Sequence, residues 1–553
     1  MNWRCNLLNK TEKSAFIYKI IMIFSIVLIA SSCEDVLDKT PLDRYSDATV
    51  WQDPALIEQF VSNTYRIVPT GFQTTYSFPA LACLGCFTDE IDGGSEFSDD
   101  VNAGNLTPSN LGELDYWERY FNVIGNCNIF LDRIQTSTIE EALKSRMTGE
   151  IKVIRAFSYF QLISFFGGVP IVDRPLTLVD DLNIPRSSYD EVMDFVISDL
   201  DEAAPLLPLE YGDEDKGRIT KGAALAVKSR ALLYAASPLN NAGNDQNKWQ
   251  MAADAAKAVI DLNQYSLYPD YKALFLEEAA YNAEVIWSRP YNNSVDFEGA
   301  AVEWFLFPPG SGGRANSGPL HNLVAHYETL NGLLPENDPS YNLQDPFVNR
   351  DPRFYASILY DEAPFKGRQI ETFLPGGLDS DDLANVPSSG YFIRKFMDES
   401  ITNPTENNLG NTPWIRFRYA EILLNYAEAN YFLGNEAIAR DYINMVRSRP
   451  GVEMPDVTES GEALFERFVN ERRIELAFEE HRWFDVRRWE IAPEVLSIPG
   501  KQMKILKDTI TSEKTYEVVN YKPSRAFFER NYLLPIPQYE MEKNPLFVQN
   551  PGY

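Results

Sequence analysis

The sequence predicts a mainly α-helical protein: a scaffold of tetratricopeptide-like helix pairs that carries an irregular, loop-rich lobe with a few short strands. Three observations predict it. Apolar residues recur three or four apart through much of residues 53–267 and again from 413. Two sets of such segments have the length of one helix–turn–helix unit, near ~34 residues. Between them, residues 268–412 turn to Gly, Pro, Asn and Ser clusters such as "PPGSGGRANSGP", "LPGGLDSDD" and "NPTENNLGNTP".

The first segment is not part of that fold. A basic flank (Arg4, Lys10, Lys13, Lys19) precedes the apolar run "IIMIFSIVLIA", Ile20 to Ala30. The run is too short for a spanning helix, which needs ~20 apolar residues. Basic flank, short apolar core and small residues form the pattern of a secretory signal. Cys33 follows Ala30, Ser31 and Ser32, which resembles a bacterial lipobox. That resemblance implies loss of residues 1–32 and lipid on Cys33. Acyl chains then anchor the protein, each buried CH₂ adding ~0.8 kcal/mol. A plain signal peptide with an incidental cysteine, or a frayed membrane helix, is the alternative. Residues 33–52, polar and holding Pro41, are a tether.

Charge excludes one class of partner. The chain has 50 Lys and Arg against 80 Asp and Glu, a net −30. Residues 1–32 hold four basic groups and one acid, so losing them removes a net +3 and leaves −33. Such a surface repels phosphate backbones, and no nucleic acid is expected. Of five cysteines, Cys83, Cys86 and Cys127 belong to the folded part. "CLGC" has half a zinc site's spacing, but no second pair exists to complete it. Buried thiols, or one disulfide in an oxidising compartment, are expected. No cofactor is expected, and a structural calcium is left open.

The helices follow in order. Asp53 before Pro54 starts "PALIEQFVSNTYRIV". "LDYWERYFNVIGNCNIFLDRI" and "EIKVIRAFSYFQLISFF" come next, the latter stopped by Gly167, Gly168 and Pro170. Ser187 or Ser188 caps "YDEVMDFVISDLDEAAPLLP". "TKGAALAVKSRALLYAAS" and "KWQMAADAAKAVIDL" are rich in alanine, whose small side chains let two helices interlock. "RYAEILLNYAEANYFLG" and "NEAIARDYINMVRSRPGV" meet at Gly434–Asn435. In the lobe, "AEVIWSRPY" and "VEWFLFPP" are read as strands.

"FERFVNERRIELAFEEHRWFDVRRW", Phe465 to Trp489, is read as one helix and looks most like chemistry. Arg472 interrupts the apolar stripe of Phe465, Phe468, Val469 and Leu476. A buried guanidinium needs carboxylates or carbonyls around it. Glu471 and Glu475 are the expected partners, in a structural ion network that fixes helix packing. An anion-binding site is the functional alternative.

"NERRIELAFEEHRWFDVRRW" closely resembles the signature helix of the SusD/RagB family, glycan-capturing surface lipoproteins of Gram-negative bacteria. The lipobox and "LDKTP", "GRITKGAALAVKSRALLYAA", "NRDPRFYASILY", "RYAEILLNYAEANYFLG" and "YLLPIPQYEMEKNPLFVQNPGY" agree in order. The resemblance implies four tetratricopeptide-like units and a ligand site on the irregular lobe. It implies a partner too: a SusC-like TonB-dependent transporter in the outer membrane, over which the protein sits as a lid. In that family acids after the lipidated cysteine favour display on the cell exterior, and Glu34 and Asp35 fit.

Sugar rings present apolar C–H faces that suit flat aromatic partners. With 29 Tyr, 33 Phe and 9 Trp, location must decide which rings serve. The first candidate platform is Trp304 and Phe305, with Tyr291, Phe297 and Arg314 on flanking loops. As a strand, "EWFLF" would point Trp304 and Leu306 one way, Phe305 and Phe307 the other. The second is Phe72, Tyr76, Asp89 and Phe97. Trp287 and Trp414 are assigned to the core. His321, His326 and His481 show no metal-binding spacing, and His321 and His326 are read as ordinary helix residues. No nucleophile elbow, phosphate loop or dinucleotide fingerprint is present. A non-enzymatic receptor is expected. A glycosidase built on two of the many carboxylates, a purely structural lid and a peptide receptor are the alternatives.

Overall fold

The computed structural model describes residues 50–75, 78–81, 83–292, 302–315, 317–383, 389–405, 410–522 and 525–553. Cys33, Tyr76 and Phe297 lie outside these.

The scaffold starts at α1, Pro54–Arg66, whose Asp53 side chain accepts the Ala55 N–H. The helix buries Ile57, Val61 and Thr64 on one face. α2 (Tyr116–Arg133) packs on α3 (Glu141–Phe166), and α3 on α4 (Tyr189–Ala203). α3 is buried nearly all round from Gly149 onward, because it is the central rod of this half. It stops at Gly167, where φ is +71°. Ser188 caps α4 and exchanges hydrogen bonds with Glu191.

The alanine-rich pair is α5 (Lys221–Ala236) and α6 (Gln246–Ile260). Buried Ala223, Ala226, Ala252 and Ala256 let the two axes approach closely.

The lobe opens with the antiparallel strands β1 (Phe72–Thr75) and β2 (Phe78–Leu81). β3 (Val285–Arg289) follows, as the sequence predicts. "VEWFLFPP" is not a strand. Val302–Leu306 is one turn of helix, α7, packed near β2. A short apolar run fits either period. Here the helical period wins, burying Val302, Phe305 and Leu306 together. The remaining lobe strands are two-residue pairs. His321 lies in the short helix His321–Val324, but His326 falls beyond its end.

β3 pairs with β4 (Trp414–Arg418), which leads straight into α8 (Tyr419–Phe432). Trp287 and Trp414 are both buried, as assigned. α8 turns through Gly434 (φ +80°) into α9 (Glu436–Arg447). Trp249 on α6 stacks on Phe432 of α8 at 4.1 Å, joining the two halves. The arginine-rich stretch is broken, not continuous. α10 (Glu462–Glu475) ends, Phe478 and Glu480 take left-handed φ of 66° and 68°, and α11 (His481–Arg488) resumes. After it, β5 (Gly500–Lys507) and β6 (Lys514–Lys522) form a long hairpin.

Candidate ligand-binding face

Two places compete for function: the arginine-rich junction and the loop-built face of the lobe. At the junction every charge is engaged. Glu475 accepts Arg353 at 2.9 Å, Arg418 at 2.7 Å and Arg449 at 2.6 Å. Glu471 accepts Arg353 at 2.5 Å and Arg447 at 2.8 Å. Arg418 also reaches Glu284 at 2.8 Å and Glu479 at 2.7 Å. Burial opposes ionisation of Glu475, but the three guanidiniums outweigh it and hold the carboxyl well below its usual range.

The network exists, but Arg472 does not pair with Glu471 or Glu475. It donates to Asp485 at 2.9 Å and Asn425 at 2.9 Å. Glu471 and Glu475, four apart, share the helix face that meets the lobe. Arg472 turns instead toward α8 and α11. Arg353 comes from the lobe, Arg418 from β4 and Arg447 from α9, so the carboxylates of α10 pin lobe to scaffold. All these groups are buried, and none is left for a ligand.

Several predicted site residues join the core as well. Asp89 forms ion pairs with Arg473 at 2.8 Å and Arg482 at 2.9 Å, and so is not a ligand contact. Phe72 is 1% exposed and packs against Trp414 at 5.0 Å, Phe396 at 5.6 Å and Tyr291 at 5.8 Å. Tyr291 is buried too, its hydroxyl 2.7 Å from that of Thr70. Phe305 is buried by the helical turn. Phe97 is half-buried on Glu96–Asn102, edge-on to Phe87 at 5.8 Å. The Phe72–Tyr291 contact nevertheless brings the two predicted clusters together at one corner of the lobe.

Trp304 and Arg314 remain at that surface. Trp304 is half-buried and Arg314 exposed. The Arg314 guanidinium lies 4.3 Å above the indole, and the Arg314 backbone N–H donates to the Trp304 carbonyl at 2.9 Å. The return turn depends on Gly313. A Cβ there would stand 2.1 Å from the Phe307 carbonyl oxygen. Arginine over an indole makes a flat, partly cationic platform that can stack on a sugar ring and donate hydrogen bonds to its hydroxyls.

Glu303 precedes Trp304 on α7 and is absent from the sequence-predicted set. It is 1% exposed. One carboxylate oxygen accepts the Asp398 N–H at 3.2 Å and lies 3.4 Å from the Thr412 hydroxyl; the other has no hydrogen-bond partner among the described residues. Burial pushes its pKa up to about 7. A lone glutamate inside "VEWFLF" is the signal that marked it. Cys86 and Cys127 are buried free thiols, which burial holds well above the usual thiol range.

A helix-pair scaffold carrying a loop-built lobe is the architecture of the SusD-like fold class. The chain belongs to the SusD family: residues 273–553 match it. Residues 88–233 match a family described as "Starch-binding associating with outer membrane". A SusD-like protein of Bacteroides fragilis has a solved structure 31% identical in sequence, with a TM-score of 0.79 over 93% of this chain and 100% of that one. A SusD-like carbohydrate-binding protein from the same species is 28% identical, with a TM-score of 0.77 over 90% and 99%. The SusD-like protein P25 of Formosa agariphila is 25% identical over 97% of this chain and 99% of its own.

Proposed function

We propose that this protein is a lipid-anchored receptor on the outer face of the outer membrane, which captures saccharide and passes it to a SusC-like TonB-dependent transporter. The observation that carries the reading is the Trp304–Arg314 platform on a lobe that the buried network holds rigid. Sites of this kind sit on loops positioned by a stiff frame. SusD family membership and the carbohydrate-binding description of one relative support it. The lipobox at Cys33 supplies the anchor. Tyr76 and Phe297, neighbours in sequence of Phe72 and Tyr291, are proposed as further contacts. No reaction is assigned to the site.

Calorimetry of residues 34–553 against a panel of neutral and acidic oligosaccharides tests the reading. Saturable binding that falls in Trp304→Ala is the expected result. Turnover of a labelled oligosaccharide would instead show a hydrolase. Binding of peptides alone would show a peptide receptor, and no binding at all a structural lid. Intact mass of membrane-extracted protein should show loss of residues 1–32 and a lipid increment.

A further inference from the structure

A groove beside Tyr291 has a different character from the platform. It has a volume of about 370 Å³ and runs between α1, residues 214–218 and β3. It meets a second groove of about 250 Å³ along Lys216, Arg218 and Trp287. Five basic and two acidic side chains line the first. That excess of cations opposes the chain's net −30, and the five come from four separate segments.

The floor of the groove is Arg416. In the β3–β4 ladder Ile415 faces Ser288 and Phe417 faces Trp287, so Arg416 is the extra residue of a bulge. A bulge re-aims the side chain it carries. Here it turns the guanidinium out of the ladder, to 5.5 Å from the Phe157 ring centre and 5.2 Å from that of Trp287. Two of its five N–H groups donate, to the carbonyls of Pro69 at 2.7 Å and Val68 at 2.9 Å. No carboxylate among the described residues forms an ion pair with it, although it is 7% exposed. Burial lowers its pKa to about 10, which leaves it charged at neutral pH.

The rim adds further positive charge. Arg66 and Lys216 are exposed, and Arg289 is half-buried with its guanidinium 4.7 Å from the Tyr291 ring centre. Arg218 is held by Asp215 at 2.6 Å, and Lys216 by the exposed Asp213 at 2.7 Å. A surface pair of the latter kind is weak and opens readily to a competing anion. Tyr281, 49% exposed, stands on the wall of the adjoining groove as a flat stacking surface.

We propose that this groove takes the anionic oxyacid group of an acidic saccharide, a uronate carboxylate or a sulfate ester, with Arg416 at the floor and Lys216 and Arg289 at the rim. The proposal rests on the saccharide-receptor reading and names the ligand class. Arginine's planar fork suits either oxyanion, and a buried guanidinium that forms no ion pair among the described residues gains most from one.

Calorimetry of residues 34–553 with oligogalacturonate, a sulfated galactan oligosaccharide and neutral maltoheptaose tests it. An acidic oligosaccharide should bind at least tenfold more tightly than maltoheptaose, and more weakly as salt is raised. The uronate and sulfate arms identify the anion. Lys216→Glu and Arg289→Gln should each weaken acidic binding at least fivefold, and Arg416→Met more. Lys216 is exposed, so its variant keeps the test valid if Arg416→Met fails to fold. Neutral binding that equals or exceeds acidic binding overturns the inference and leaves the receptor reading standing. So does acidic binding that Lys216→Glu leaves unchanged. Binding of no saccharide in any arm overturns both.

Discussion

The junction around Glu475 and the face around Trp304 are both built from arginine, glutamate and aromatic side chains, and they use them in opposite ways. At the junction four arginines and four glutamates are buried in mutual contact. At the face one arginine lies over one indole at the surface, next to a glutamate that has one oxygen without a partner among the described residues. The difference is one of saturation. Where each guanidinium meets buried carboxylates, the charge is spent on holding segments together. Where an exposed arginine lies over a half-buried indole, the pair can still meet a ligand. A dense cluster of charge in sequence therefore marks the frame here, and the site lies in the quieter loops.

The sharpest way to break this contrast is to open the junction. Arg418→Met leaves Glu284, Glu475 and Glu479 each short of a partner. Removing one partner of a buried ion network costs about 3–5 kcal/mol. Expression or thermal midpoint should fall sharply. A variant that melts like wild type and loses only ligand affinity would make the junction a binding site, and the contrast would fail. Arg472→Met, which strips Asp485 and Asn425 of a donor, should behave the same way.

The next effect separates the glutamates by pH. Glu303 is raised by burial to about 7, as are Glu90 and Glu480. An unfolded glutamate titrates near ~4.3. Between those values the folded state holds more protons than the unfolded one, so these groups make stability fall as pH rises from about 4.5 to 7. Glu303→Gln removes one such penalty. Its thermal midpoint should exceed wild type at pH 8, by up to ~3 kcal/mol of stability, and match it near pH 4. The junction glutamates move the other way. Arginines hold Glu471 and Glu479 below their usual range, so their contribution is lost only as pH falls below about 4. Equal midpoints for Glu303→Gln and wild type at pH 8 would show that Glu303 finds a partner in solution.

Much of the frame was legible because local chemistry sets it. Asp53 with Pro54 and Ser188 with Glu191 carry their own start signals, and the helices begin there. Val285–Arg289 reads as a strand, whereas its partner Trp414–Arg418 does not. Arg416 and Arg418 break that strand's apolar pattern, and only distant carbonyls and carboxylates make their burial tolerable. The same limit hid the network's wiring. Arg353 and Glu475 are 122 residues apart, and nothing local pairs them. "EWFLF" misled because five apolar-rich residues satisfy period two as well as period 3.6. That error reached the site: a strand offers a whole aromatic face, but the helical turn buries Phe305 and keeps Trp304 half-buried.

The smallest effects test the face itself. Trp304→Ala removes the stacking surface and should weaken saccharide binding about tenfold, ~1.4 kcal/mol, while the thermal midpoint shifts little. Arg314→Gln keeps the indole and removes the charge above it. An exposed cation–π contact contributes ~0.5–1 kcal/mol, so affinity should fall two- to fivefold. The two variants also report on each other. If Arg314 acts only by holding the indole flat, then in the Trp304→Ala background Arg314→Gln should have no further effect. If Arg314 donates directly to saccharide hydroxyls, the second loss should add to the first. A double-mutant cycle read by calorimetry separates the two. Only a direct donor would make the face, like the junction, a place where arginine acts through hydrogen bonds, there to saccharide and not to protein.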